Sequence, residues 1–108
     1  MRIQIKATGF EMTPSLQLFV EEKIMGLEKY VSRWDEGDGV IVRVEVAKTT
    51  NHHQKGLIFR AEANLDLPKQ VIRVEETNED MHKAVEAMKD SLKTEILKVK
   101  EKAADHKI

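Results

Sequence analysis

The stretch from Thr77 to Lys102 constrains the fold more than any other. Met81, Val85, Met88, Leu92, Ile96 and Val99 recur there at steps of three and four residues. That spacing makes one apolar stripe on an α-helix. No proline or glycine interrupts the run. Thr77 followed by Asp80 matches a capping box and predicts the helix start. At about 100° per residue, Lys89, Lys93 and Lys100 fall on one flank of the stripe, and Lys98 and Lys102 on the other. A helix with one apolar stripe needs a surface to cover it, so the remaining residues must supply that surface.

They do so by alternation. Ile3, Ile5 and Ala7 face one way in a first strand, and Arg2, Gln4 and Lys6 the other. Val40, Val42, Val44 and Val46 alternate with Arg43 and Glu45 in a second strand over 40–48. A third strand, Leu57 to Leu67, turns Leu57, Phe59, Ala61, Ala63 and Leu65 inward and Arg60, Glu62, Asn64 and Asp66 outward. Gln70 to Glu76 forms a fourth, with Ile72 and Val74 inward. A period of two over four segments predicts a sheet with one apolar face and one wet face. Opposed Arg and Glu on the wet face can pair across strands, and Ile41, Ile58 and Val71 share that face.

Thr13-Pro14 is a helix-start signature, a hydroxyl cap before proline at the first helical position. Leu16, Val20, Ile24, Leu27 and Val31 predict one helix running to about Arg33, with Phe19 and Tyr30 on its margin. Gly26 is a flaw in its interior, worth up to about 1 kcal/mol against alanine. Leu18 and Met25 point away from the stripe; Lys23 borders it and Lys29 points away. Asp35-Glu36-Gly37-Asp38-Gly39, the polar run Thr49 to Gly56, and Pro68-Lys69 supply the connections.

The order is β-α-β-β-β-α. Short connections make strands two to four an antiparallel meander, and a helical crossover lets strand one lie parallel to strand two. With one wet sheet face, both helices must cover the other. The expected fold is therefore an α+β two-layer sandwich with a four-stranded sheet. Residues 1–108 read as a single domain, with the final five or so as a frayed tail.

Composition excludes more than it proposes. The 108 residues hold 18 Lys+Arg against 19 Asp+Glu, so bulk charge makes no case for nucleic acid. There is no cysteine, no Gly-x-Ser-x-Gly elbow, no Gly-x-Gly-x-x-Gly and no phosphate-binding loop. We expect no catalytic residue, no cofactor, no small-molecule substrate and no metal. His52-His53 reads as a polar hairpin tip, because adjacent residues of an extended loop point apart; His82 and His106 show no ligand spacing with them. No segment approaches the roughly 18 apolar residues of a membrane span. The expected setting is cytoplasmic. Between Met81 and Lys102 six lysines face four acids, a mild local excess of positive charge.

The pattern as a whole resembles the ribosome hibernation promoting factor family, also called ribosome-associated inhibitors or sigma-54 modulation proteins, in its short form. The matching stretches are Ile3-Gln4-Ile5-Lys6-Ala7-Thr8-Gly9 with Glu11-Met12-Thr13-Pro14-Ser15-Leu16, then Phe19-Val20-Glu21-Glu22-Lys23-Ile24 with Leu27-Glu28-Lys29-Tyr30. Lys48 to Gly56 with Phe59-Arg60-Ala61-Glu62, and Glu79-Asp80-Met81-His82-Lys83-Ala84-Val85, complete them. The resemblance implies a fold similar to double-stranded-RNA-binding domains. It also implies a non-catalytic factor that binds the small ribosomal subunit near the decoding region and blocks messenger RNA and tRNA by bulk. RNA contacts would come from Lys23, Lys89, Lys93, Lys98, Lys100 and Lys102, and a monomer is expected. Where family members carry basic or other characteristic residues, this chain has Gly26, His82, Ser91, Thr94 and Glu95. Fewer cations weaken the electrostatic part of RNA binding. Two other readings stand beside this one: a general double-stranded-RNA-binding module, and a protein–protein interaction domain using Leu18, Met25 or the bare sheet face.

Overall fold

A computed structural model describes residues 1–35, 39–51 and 56–105. Its elements are β1 (Arg2–Thr8), α1 (Pro14–Met25), α2 (Glu28–Val31), a 3-10 turn (Ser32–Trp34), β2 (Ile41–Asn51), β3 (Gly56–Leu67), β4 (Gln70–Asn78) and α3 (Met81–Asp105). The strands form one sheet in the order β1-β2-β3-β4, with β1 parallel to β2 and the other pairs antiparallel. This is the two-layer α+β arrangement that the alternation implies.

The two periodicities meet in one core. Val42, Val44 and Val46 of β2, Ala61, Ala63 and Leu65 of β3, and Ile72 and Val74 of β4 are buried on one face. Above them lie Leu16, Val20 and Ile24 of α1, Leu27 and Val31 beyond it, and Ala84, Val85, Met88, Leu92 and Ile96 of α3. Among the described residues no polar or charged side chain is buried. The small residues Ala61, Ala63 and Ala84 bring the layers close, and the larger ones fill the space between them. Each fully buried Val, Leu or Ile contributes about 1.5–3 kcal/mol relative to exposure.

Three boundaries differ from the sequence reading. The first helix does not run unbroken to Arg33. It ends at Met25, and the Leu27 amide bonds the Ile24 carbonyl at 2.9 Å, a tightened turn before α2. Gly26 sits at this break with helical dihedrals (φ −61°, ψ −15°). Its low helix propensity marks the place, while Leu27 and Val31 remain in the core. Second, α3 is not capped by Thr77. Asp80 Oδ1 accepts from the His82 amide at 2.8 Å and the Lys83 amide at 3.2 Å, and Asn78 Oδ1 accepts from the Asp80 amide. Thr77 is engaged elsewhere, paired in the ladder opposite Arg60. Third, the polar run from Thr49 to Gly56 is shorter as a loop, because β2 and β3 stay paired as far as Asn51 and Gly56.

The inward reading of Leu57 is also corrected, since it is 48% exposed. The β3–β4 ladder stops at Phe59–Asn78, so Leu57 lies past the end of β4 and the start of α3. The expected N-terminal cap is present, with Thr13 Oγ1 accepting from the Leu16 amide at 3.2 Å and Pro14 at the first helical position. Residues 52–55, which hold the His52-His53 tip, and 106–108, with His106 and most of the expected tail, lie outside the described residues. So do residues 36–38 of the turn-rich linker.

Candidate nucleic-acid interface

The flank of α3 that carries Lys89, Lys93 and Lys100 faces α1 and α2. His82 sets its ring edge-on to Phe19, with centroids 4.5 Å apart. Lys23 Nζ lies 5.4 Å from the Phe19 centroid and 3.2 Å from Glu86 Oε1. Further along, the Tyr30 ring gathers three ammonium groups. Lys29 and Lys93 lie 5.2 Å from its centroid and Lys100 6.0 Å. Ammonium groups within about 6 Å of an aromatic centroid are attracted by the ring's electron-rich face. Hydrogen bonding from Lys93, opposed by slight burial and helped by the charges of Lys29 and Lys93, holds the Tyr30 phenol below its ordinary value. Mutually repelling cations held around one ring make a place where an anion lowers the energy.

The opposite flank of α3 faces β4. Ser91 Oγ donates to Glu76 at 2.6 Å, and Lys98 Nζ lies 3.2 Å from Glu95 Oε1. Lys98 and Lys102 border a groove of about 770 Å³ between the end of α3, Trp34 and the β3–β4 turn.

The six lysines expected to touch RNA therefore divide. Lys93 and Lys100 converge on Tyr30, whereas Lys23 and Lys89 share that side but have acidic neighbours, Glu86 at 3.2 Å and Asp90 at 2.6 Å. Lys98 and Lys102 stand on the other side of the helix. The sequence reading missed Lys29, which it pointed away from the core stripe. The signal that could have found it is its neighbour Tyr30, an aromatic ring on the margin of a lysine-bearing face.

The uncovered sheet face has a different character. In register across it run Lys6, Glu45, Glu62 and Glu75, with Arg60 in the next row. The Arg60 guanidinium reaches Glu45 at 2.6 Å and Glu62 at 2.9 Å; Arg73 adds a bond to Glu62 at 3.0 Å, and Arg43 pairs with Asp66. The Thr8 hydroxyl and then Arg60 hold the Glu45 carboxyl below the usual carboxylate range. Burial alone would raise Glu62, but bonds from Asn64 and Arg73 and the charge of Arg60 outweigh it and leave that carboxyl lowered too. On this face Arg43, Arg60 and Arg73 are each paired with a carboxylate. Val71, 62% exposed, stands at its margin, while Ile41 and Ile58 are half-covered.

No group of three or more His, Asp or Glu side chains with metal-binding geometry occurs among the described residues. The fold and this surface define a class: a two-layer α+β domain that gathers lysines along its helical edge and pairs arginines with carboxylates on its sheet. Comparison with known proteins gives the family. The family described as sigma 54 modulation protein / S30EA ribosomal protein matches residues 3–104, and the chain belongs to it.

Similar proteins include a ribosome hibernation promotion factor of Deinococcus radiodurans, 29% identical over 97 residues, which cover 90% of this chain and 48% of that protein. Another is the ribosome hibernation promotion factor of Lactococcus lactis, 26% identical over 93% of this chain and 50% of its own length. The chain thus spans about half the length of these two relatives. It spans 85% of a ribosome hibernation promoting factor of Azotobacter vinelandii, at 28% identity. Among solved structures, the N-terminal domain of Thermus thermophilus Protein Y superposes with a TM-score of 0.68 at 28% identity, covering 89% of this chain and 96% of that one. A ribosomal subunit interface protein from Coxiella burnetii shares the fold, with a TM-score of 0.70 at 24% identity over 93% of this chain and 98% of that one.

Proposed function

We propose that this protein is a ribosome hibernation factor. It binds ribosomal RNA of the small subunit near the decoding region and obstructs messenger RNA and tRNA by its bulk. It acts in the cytoplasm as a monomer and turns nothing over. The observation that carries this reading is the convergence of Lys29, Lys93 and Lys100 on Tyr30, in a chain of this family. Phosphates that meet such a cluster release their counterions, and that release drives much of the binding. Lys23, Lys89, Lys98 and Lys102 add further phosphate contacts. The pairs Lys23–Glu86 and Lys98–Glu95 do not prevent this, because exposed ion pairs are worth about 0.2–1 kcal/mol and exchange readily.

The test is co-sedimentation of the Lys93→Glu/Lys100→Glu double variant with purified small subunits. Loss of binding with an unchanged unfolding midpoint is expected. Undiminished binding would remove the Tyr30 cluster from the interface. Salt dependence gives a second measure. Each phosphate that a variant no longer neutralises should make the slope of log K against log salt shallower, by an amount of the order of the roughly 0.7 per phosphate of single strands and 0.9 of B-form DNA.

A further inference from the structure

The groove on the other flank of α3 is not used by the Tyr30 cluster. Its floor is apolar, made by Trp34, Ile72 and Val99. Its rim carries Lys69 on the β3–β4 turn and Lys98 and Lys102 on α3; Arg73 also lines it, but its guanidinium is bonded to Glu62 on the uncovered sheet face at 3.0 Å. Two acids, Glu95 and Glu101, line it as well, and Glu95 is already engaged by Lys98 at 3.2 Å. Arg33 lies beside the groove and not in its lining, with its guanidinium 5.6 Å from the Trp34 ring centroid. The volume, about 770 Å³, falls in the range of small-ligand sites.

We infer that this groove seats one unstacked nucleotide of single-stranded RNA, its base against the Trp34 indole and its phosphate between Lys98 and Lys102. The class of partner rests on the ribosomal reading above; the seat itself rests on the groove. Charge complementarity selects the occupant. Lys69, Lys98 and Lys102 face Glu95 and Glu101 around the groove, a small excess of positive charge that favours an anionic ligand, and the half-buried Trp34 indole offers a flat apolar surface. A nucleotide has both parts in one unit, a ring to stack and a phosphate at its edge. Stacking of this kind tolerates any base, because every base has a π-face. The cations supply affinity without sequence preference. An acidic peptide would match the rim but has no ring to place on the floor.

Trp34 is the single tryptophan of the chain, so its fluorescence reports the floor directly. The experiment titrates the full chain with a short oligoadenylate, an abasic ribose-phosphate oligomer of equal length, and a polyglutamate peptide. Saturable quenching by oligoadenylate alone is expected. Lys98→Glu/Lys102→Glu, which leaves the floor intact, should weaken that binding at least tenfold. Unchanged emission at saturating oligoadenylate, or equal quenching by the abasic oligomer or the peptide, would overturn the inference. The two proposals fail separately. Small-subunit binding without any quenching leaves the hibernation reading and removes the seat; quenching that persists without small-subunit binding does the reverse.

Discussion

At the scale of single residues, geometry makes some positions exacting. Gly9 has φ +83°, and a Cβ built there would lie 2.5 Å from the Lys48 carbonyl oxygen. That carbonyl is backbone, so the clash cannot be relieved by a rotamer. Gly9→Ala should cost about 1–3 kcal/mol, read from the shift of the urea unfolding midpoint. Gly26 is the opposite case. Its φ is negative and its nearest Cβ contact would be 3.4 Å, so Gly26→Ala should stabilise the chain by about 0.4–1 kcal/mol. A lower midpoint for that variant would show that the break after α1 needs glycine.

Arg60 carries a pH dependence. Glu45 and Glu62 both have lowered carboxyl pKa values in the fold. A group lowered on folding stabilises the native state above its unfolded value, and that stability is lost as pH falls through the folded value. Stability should therefore decline as pH drops below about 4.3, the ordinary glutamate value. Arg60→Ala should cost about 1 kcal/mol at pH 7 and less at pH 3, where the carboxylates are increasingly protonated. An equal cost at both pH values would mean that Arg60 acts through packing alone.

At the scale of elements, the start of α3 separates local from tertiary control. Thr77 and Asp80 are both acceptable caps by residue type. The fold chooses Asp80 because the ladder extends through Thr77 and Asn78. Asp80→Ala should destabilise the protein by about 1 kcal/mol. Thr77→Ala should change stability by less than half of that, and thermal unfolding of the two variants decides the matter. The stripes of α1 and α3 are legible in the sequence because their period depends only on neighbouring residues. Leu18 and Met25, off the stripe, are exposed at 55% and 46%. The end of α1 is not legible in the same way, since whether a chain passes Gly26 as helix depends on where Leu27 and Val31 must go to reach the core.

At the scale of the whole molecule, charge is sorted by layer. The sheet face neutralises itself with Arg–Glu pairs, while the helical layer gathers lysines along two edges. A net charge of −1 conceals this arrangement. Small-subunit binding should fall steeply with salt, whereas folding stability should change little, because the solvent-accessible ion pairs that salt screens are worth only about 0.2–1 kcal/mol each. Sedimentation and unfolding measured over the same salt series check this, and parallel losses would count against it.

Local pattern is enough to settle the type of nearly every element, the two-layer arrangement and most of the core. Periods of 2 and 3.6 are written along the chain, and a two-layer packing buries both. Which lysines share a surface is instead a matter of how the elements pack. Lys29 and Lys93 are far apart in sequence, and they meet at Tyr30 only because α2 and α3 pack over the same sheet. The groove beneath Lys98 likewise exists only where Trp34 and the β3–β4 turn approach the end of α3. Burial follows the order of neighbouring residues; the juxtaposition of charge follows the path of the folded chain.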